Sequence, residues 1–102
     1  MIDTLSYADF TPHLNSTFQL QLADAVLEME LTSAEEYTAT PQQERFALFF
    51  RAPHAAPAEQ AIYQLSHAQL GTGELFLVPI GRDAEGLRYE ASFNRPREVK
   101  AQ

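Results

Sequence analysis

Apolar residues recur at every second position through much of the chain. In Thr17-Phe18-Gln19-Leu20-Gln21-Leu22, Phe18, Leu20 and Leu22 alternate with polar neighbours. Period two marks a strand with one buried face. Val26 to Leu31 repeats the pattern, with Leu27, Met29 and Leu31 inward. The short Ala23-Asp24-Ala25 link makes the two a hairpin. Parity carried through Leu31, Ser33, Glu35 and Tyr37 extends the second strand towards Tyr37, and Thr38 to Glu44, with Pro41 inside, reads as a loop. Phe46-Ala47-Leu48-Phe49-Phe50 and Leu75-Phe76-Leu77-Val78 are apolar on both faces, so each needs two covers. Ala61 to His67 is a further strand, with Tyr63 and Leu65 on opposite sides of Gln64. Gly71 and Gly73 bracket the turn that follows, and Pro79 suits a strand edge. Gly81 to Gly86 reads as a polar hairpin loop. In the last strand, Leu87, Tyr89, Ala91 and Phe93 face in, and Arg88, Glu90 and Ser92 face water.

One segment has a helical period. Ser6 is a fitting N-cap with an acid, Asp9, in the first turn, and Tyr7, Phe10 and Leu14 share one helical face. Pro12 limits it to one or two turns, expected to lie over the sheet. Six short-linked strands and a short helix make a mainly β fold, a six-stranded antiparallel barrel or sandwich with a short N-terminal helix.

The 102 residues suit one domain. Seven Lys and Arg stand against fourteen Asp and Glu, a formal net charge of −7. Residues 1–94 form the expected β domain. Residues 95–102, which hold Arg95, Arg97 and Lys100, form an expected flexible basic C-terminal tail. Without Cys there is no disulfide framework, thiolate zinc site, iron–sulfur cluster or Cys nucleophile. The acidic balance, with Arg45, Arg51, Arg82 and Arg88 spread thinly, argues against nucleic acid. No stretch approaches the roughly 20 apolar residues of a membrane-spanning helix, and Met1-Ile2-Asp3-Thr4 lacks the basic and apolar runs of a signal peptide.

Candidate chemistry is sparse. His13, His54 and His67 show no metal-ligand spacing, so no metal or cofactor is expected. His13 and His54 fall in expected loops, in water, and His67 ends a strand as a partly buried or hydrogen-bonded residue. Glu28 and Glu30 share a strand face and read as a solvated polar surface. With His67 they would form the weakest option, a hydrolase. Ser6, Ser16, Ser33, Ser66 and Ser92 lack a nucleophile elbow, and Gly71-Thr72-Gly73 lacks the helix and Lys of a phosphate cradle. Rings, in contrast, are in surplus. Where the helix leaves Phe49 or Phe76 uncovered, an apolar patch marks an interface.

Three stretches carry a resemblance: Met1-Ile2-Asp3-Thr4-Leu5-Ser6-Tyr7-Ala8-Asp9-Phe10, Glu74-Leu75-Phe76-Leu77-Val78-Pro79-Ile80-Gly81, and Gly86-Leu87-Arg88-Tyr89-Glu90-Ala91-Ser92-Phe93-Asn94, with Tyr63, His67 and Gly71 between. They resemble an uncharacterised bacterial family of short domains, domain-of-unknown-function family 6916. The 35–44 and 54–59 stretches depart from its pattern. The resemblance implies a small cytoplasmic β-domain encoded near genes resembling phage tail-collar and tail-fibre proteins, and it implies no catalytic residues. The leading expectation is a non-enzymatic interaction or assembly module, accessory to a tail-like or fibre structure, with a protein partner or a second copy of itself. Its contact residues would be Phe49 and Phe76 with the loop residues Arg82, Asp83 and Glu85, and its acidic body would steer a basic partner. The alternative is a small-ligand or carbohydrate-binding barrel, with Tyr37, Tyr63 and Tyr89 at a pocket mouth.

Overall fold

A computed structural model describes residues 2–96. Arg97 and Lys100 of the expected tail lie outside the described residues. Six strands run β1 (Thr17–Gln21), β2 (Val26–Ala39), β3 (Gln43–Ala52), β4 (Ala61–His67), β5 (Gly71–Asp83) and β6 (Gly86–Pro96). All pair antiparallel and close in a ring, β1-β2-β3-β6-β5-β4. The mainly β fold expected from alternation is therefore present. Closure comes from two long-range pairings, β3 with β6 and β1 with β4.

Inside the ring, Phe18, Leu20, Met29, Leu31, Phe46, Leu48, Phe50, Leu65, Leu77 and Tyr89 are buried and belong to one core. Alternating positions face inward, so the core is filled by side chains from every strand. Each fully buried Leu or Phe contributes about 1.5–3 kcal/mol relative to exposure.

Several strands outrun the alternation. Two bulges, between Leu31 and Ser33 and between Glu36 and Thr38, carry β2 to fourteen residues. The first resets its parity, so Ala34 pairs with Leu48 while Ser33 and Glu35 face out. The expected Thr38–Glu44 loop shrinks to a turn after Ala39, where the Thr40 hydroxyl accepts the Gln43 N–H at 2.9 Å. Gly71 and Gly73 lie within β5 rather than in a turn. The turn between β5 and β6 is only Ala84-Glu85, because Gly81–Asp83 pairs with Gly86–Arg88. Arg95 and Pro96, assigned above to the tail, end β6 opposite Glu44 and Gln43.

The ring has two plugs. β3 and β4 lie on opposite sides of it, so the connection between them (residues 53–60) crosses one end. Ala56 of this connection joins the core. The Tyr63 hydroxyl donates to the Glu59 carbonyl at 2.6 Å, and the Tyr89 hydroxyl donates to the Pro57 carbonyl. The N-terminal segment closes the other end. Its helix α1 (Tyr7–Phe10) is a single turn with a capping box, in which Ser6 caps Asp9 and Asp9 caps Ser6. Phe10 is fully buried against Phe46 and Phe93, whose rings stack at 4.4 Å. The helix therefore plugs the barrel end instead of lying over an outer face, and Leu14 remains exposed.

Arg95 fastens this plug. Its guanidinium donates to the carbonyls of Asp3 and Leu5 and lies over the Phe93 ring, 5.3 Å from the centroid. Buried Glu44 accepts the Tyr7 N–H at 3.0 Å and stands 3.7 Å from the Arg95 guanidinium.

Candidate functional site

The outer face of the ring sorts the expected contact residues into two groups. On β5, Phe76 points outward and is half exposed, directly opposite Ile62 of β4, which is 67% exposed. Ile80 continues this stripe, and Val78, half-buried, pairs with Glu90 of β6. Glu90 pairs in turn with Phe49 of β3. Phe49 and Phe76 thus belong to one apolar belt across β3, β6, β5 and β4, interrupted by one carboxylate. Phe49 is only partly exposed. The second cover that the two-faced Leu75–Val78 stretch requires is absent among the described residues.

Arg82, Asp83 and Glu85 are elsewhere, at the β5–β6 turn. Asp83 accepts from Arg88 at 2.7 Å and from the Glu85 N–H at 2.8 Å. The Arg88 guanidinium beside it holds its carboxyl below the usual carboxylate range. Glu85 is shared between Arg88 at 3.4 Å and Arg51 at 3.7 Å, and Arg51 also grips Glu30. An ion-pair ladder therefore runs across four strands. It uses Asp83 and Glu85 internally, so neither is a free charge awaiting a partner. Glu30, one of the two candidate acids, belongs to this ladder too. The pairs lie at the surface with partly exposed side chains, where such pairs add only about 0–1 kcal/mol each.

The remaining candidates separate. Glu28 and Glu30 face outward from β2, whereas His67 faces inward at the end of β4. The hydrolase arrangement therefore does not form. Tyr63 and Tyr89 are buried with both hydroxyls bonded to the plug, so they line no pocket mouth. Only Tyr37 is exposed.

Sequence reasoning missed one polar cluster. His67 is buried at the plugged end, with its ring 5.0 Å from that of His13. His13 is thus half-buried rather than solvated. The Nδ1 atom of His67 accepts the N–H groups of Gln69 at 3.0 Å and Leu70 at 3.2 Å. The proton of the neutral ring therefore sits on Nε2, which donates to the Ser16 hydroxyl at 2.9 Å. That hydroxyl donates onward to the His13 carbonyl. A nucleophilic serine needs an imidazole that accepts its proton. Here the ring donates, so Ser16–His67 is a structural clasp. No sequence signal brings residues 51 apart together.

Burial, then the facing His13, pushes the His67 pKa below 6.5. The unfolded chain therefore binds a proton that the folded chain resists. The clasp's contribution is complete above pH 6.5 and is lost as pH falls from 6.5 towards the folded value. A proton NMR titration is expected to place the His67 ring below 6.5, and the denaturation midpoint should fall between pH 7 and 5.5. A His67 pKa at or above 6.5 contradicts this account.

The described surface also carries clefts. One of about 410 Å³, between α1 and the β2–β3 tip, is lined by Ser6, Asp9, Glu36, Glu44 and Arg95. A second, of about 260 Å³, flanks the ladder, and a third, of about 230 Å³, holds Asp3, Gln64, Thr72, Gly73 and Glu74. Among the described residues, no group of three or more His, Asp or Glu could hold a metal ion. No helix among them is long and apolar enough to cross a membrane.

These features define a small closed antiparallel β-barrel with plugged ends and an apolar stripe on its outer face. The chain belongs to the family described as Domain of unknown function (DUF6916), whose model matches residues 5–93. No curated protein matches it, and no solved structure does.

Proposed function

We propose that this domain is a non-enzymatic interaction module that contacts a protein partner through the outer face of β5. The observation that carries the reading is the Ile62–Phe76 pair, two large apolar side chains facing each other across adjacent strands and more than half exposed. Apolar surface concentrated on one strand face costs solubility unless a partner covers it. The packed interior supports the same reading, because a ring filled by Phe, Leu and Tyr holds its ligand outside, if anywhere. Service to a phage-tail-like or fibre assembly is the setting that the family resemblance implies.

The test compares the intact domain with Phe76→Ser and Ile62→Ser as baits in the native host. Both substitutions replace exposed side chains and are expected to change stability by less than about 0.5 kcal/mol. A partner retained by the intact domain and lost by both variants supports the reading. Identical recoveries from all three, with no self-association by sedimentation, would exclude this face.

A further inference from the structure

We propose that the partner segment is an extended, basic strand in which one apolar side chain seats on Ile62 and Phe76, and a cation two positions to either side meets Glu74 and Glu90. The inference rests on the interaction reading and adds the chemistry of the partner.

The spacing follows from the sheet. Glu74, Phe76 and Val78 alternate outward along β5, so Glu74 and Val78 stand about 7 Å to either side of Phe76. Glu90 is paired with Val78 one strand over. Two carboxylates therefore bracket the apolar pair at about 13 Å along the strand, the span of four residues of extended chain.

Neither Glu74 nor Glu90 forms an ion pair among the described residues. Glu90 is half-buried between Val78 and Phe49, and among the described residues its one hydrogen bond is from the Ser92 hydroxyl at 3.4 Å. The nearest cation along its strand, Arg88, is taken by Asp83 and Glu85. A half-buried carboxylate within apolar surface favours a partner that brings a cation. At the other end, Glu74 shares the 230 Å³ cleft with Asp3, a second acid, wide enough for an ammonium or guanidinium head.

Other occupants fit worse. Nucleic acid and anionic lipid would place phosphates against these acids. A second copy cannot supply the pattern, since no two Lys or Arg of this sequence are four residues apart. The free backbone edge of β5 beyond Leu77 is guarded by Pro79 and a bulge at Ile80, so the segment lies on the side-chain face instead of adding a strand.

The probe is a capped peptide, Ala-Lys-Thr-Val-Thr-Lys-Ala, titrated into isotope-labelled domain to 10 mM and followed by NMR. Its controls replace both Lys by Glu, or Val by Gly. Shifts are expected to centre on Ile62, Glu74, Phe76, Val78 and Glu90. Phe76→Ser should weaken binding about 10-fold. Glu74→Gln and Glu90→Gln should each weaken it about 2- to 5-fold and reduce its salt dependence. No shifts at 10 mM, shifts centred on the ladder, or equal binding of the Glu peptide would each overturn the proposal. A host partner lost with Phe76→Ser but retained by the Glu74→Gln, Glu90→Gln double variant leaves the interaction reading standing and removes the basic segment. A Phe76-dependent dimer in sedimentation installs a second copy there and does the same.

Discussion

A Gly86→Ala substitution is expected to destabilise the domain by about 3–5 kcal/mol, a large part of the 5–15 kcal/mol that holds a typical fold. Gly86 follows the two-residue turn and opens β6 with φ +139°, a backbone state that side chains rarely adopt. A Cβ there would stand 2.0 Å from the Ala52 carbonyl oxygen. That oxygen belongs to β3, whose Ala52 pairs with Leu87, so it cannot withdraw without breaking the rung. Strain and overlap therefore add. Gly71→Ala separates the two effects. Its φ is +89°, yet nothing lies within 4 Å of the added Cβ. Strain alone, about 1 kcal/mol or somewhat more, is expected there. Urea denaturation of both variants checks the difference. Equal losses would mean that the contact with Ala52 contributes nothing.

Phe10→Ala is expected to cost about 3–5 kcal/mol, as for other fully buried Phe residues. Phe10 is part of a four-residue helix that would not persist alone. Its ring fills the space beside Phe46 and Phe93, and Arg95 ties the preceding segment to the end of β6. Loss of the ring leaves a cavity at the barrel mouth and loosens the plug that buries Ile2 and His67. Hydrogen exchange should show the fastest new exchange at the turn N–H groups of Gln69 and Leu70, whose acceptor is His67. A variant within 1 kcal/mol of the intact protein would show that the plug is dispensable, as an added tail would be.

The strands were legible because a half-buried sheet imposes period two, and Phe18-Leu20, Met29-Leu31 and Leu87-Tyr89-Ala91 obey it. The one-turn helix was legible through Ser6 and Asp9, which bond each other within four residues. Turn lengths were not. Polar runs such as Gly81-Arg82-Asp83 look like loops, yet antiparallel pairing with Gly86-Leu87-Arg88 keeps them in strands. Arg95 reads as a tail residue because its acceptors, the carbonyls of Asp3 and Leu5, are about ninety positions away.

The candidate contact residues divided for a similar reason. Phe76 faces out by parity with Leu75 and Leu77, and its exposure depends on the helix covering a barrel end instead of a barrel face. Asp83 and Glu85 looked free because their cations, Arg51 and Arg88, come from β3 and β6.

By itself, then, the sequence determined the alternating centres of the strands, which of their faces are apolar, and the absence of any thiolate. Each of these is a local property of spacing or composition. The tertiary structure decided the closure of the ring through β1–β4 and β3–β6, the two plugs, the His67 clasp and the pairing of Ile62 with Phe76. Those depend on contacts between residues far apart in the chain, whose geometry exists only once every strand has found its register.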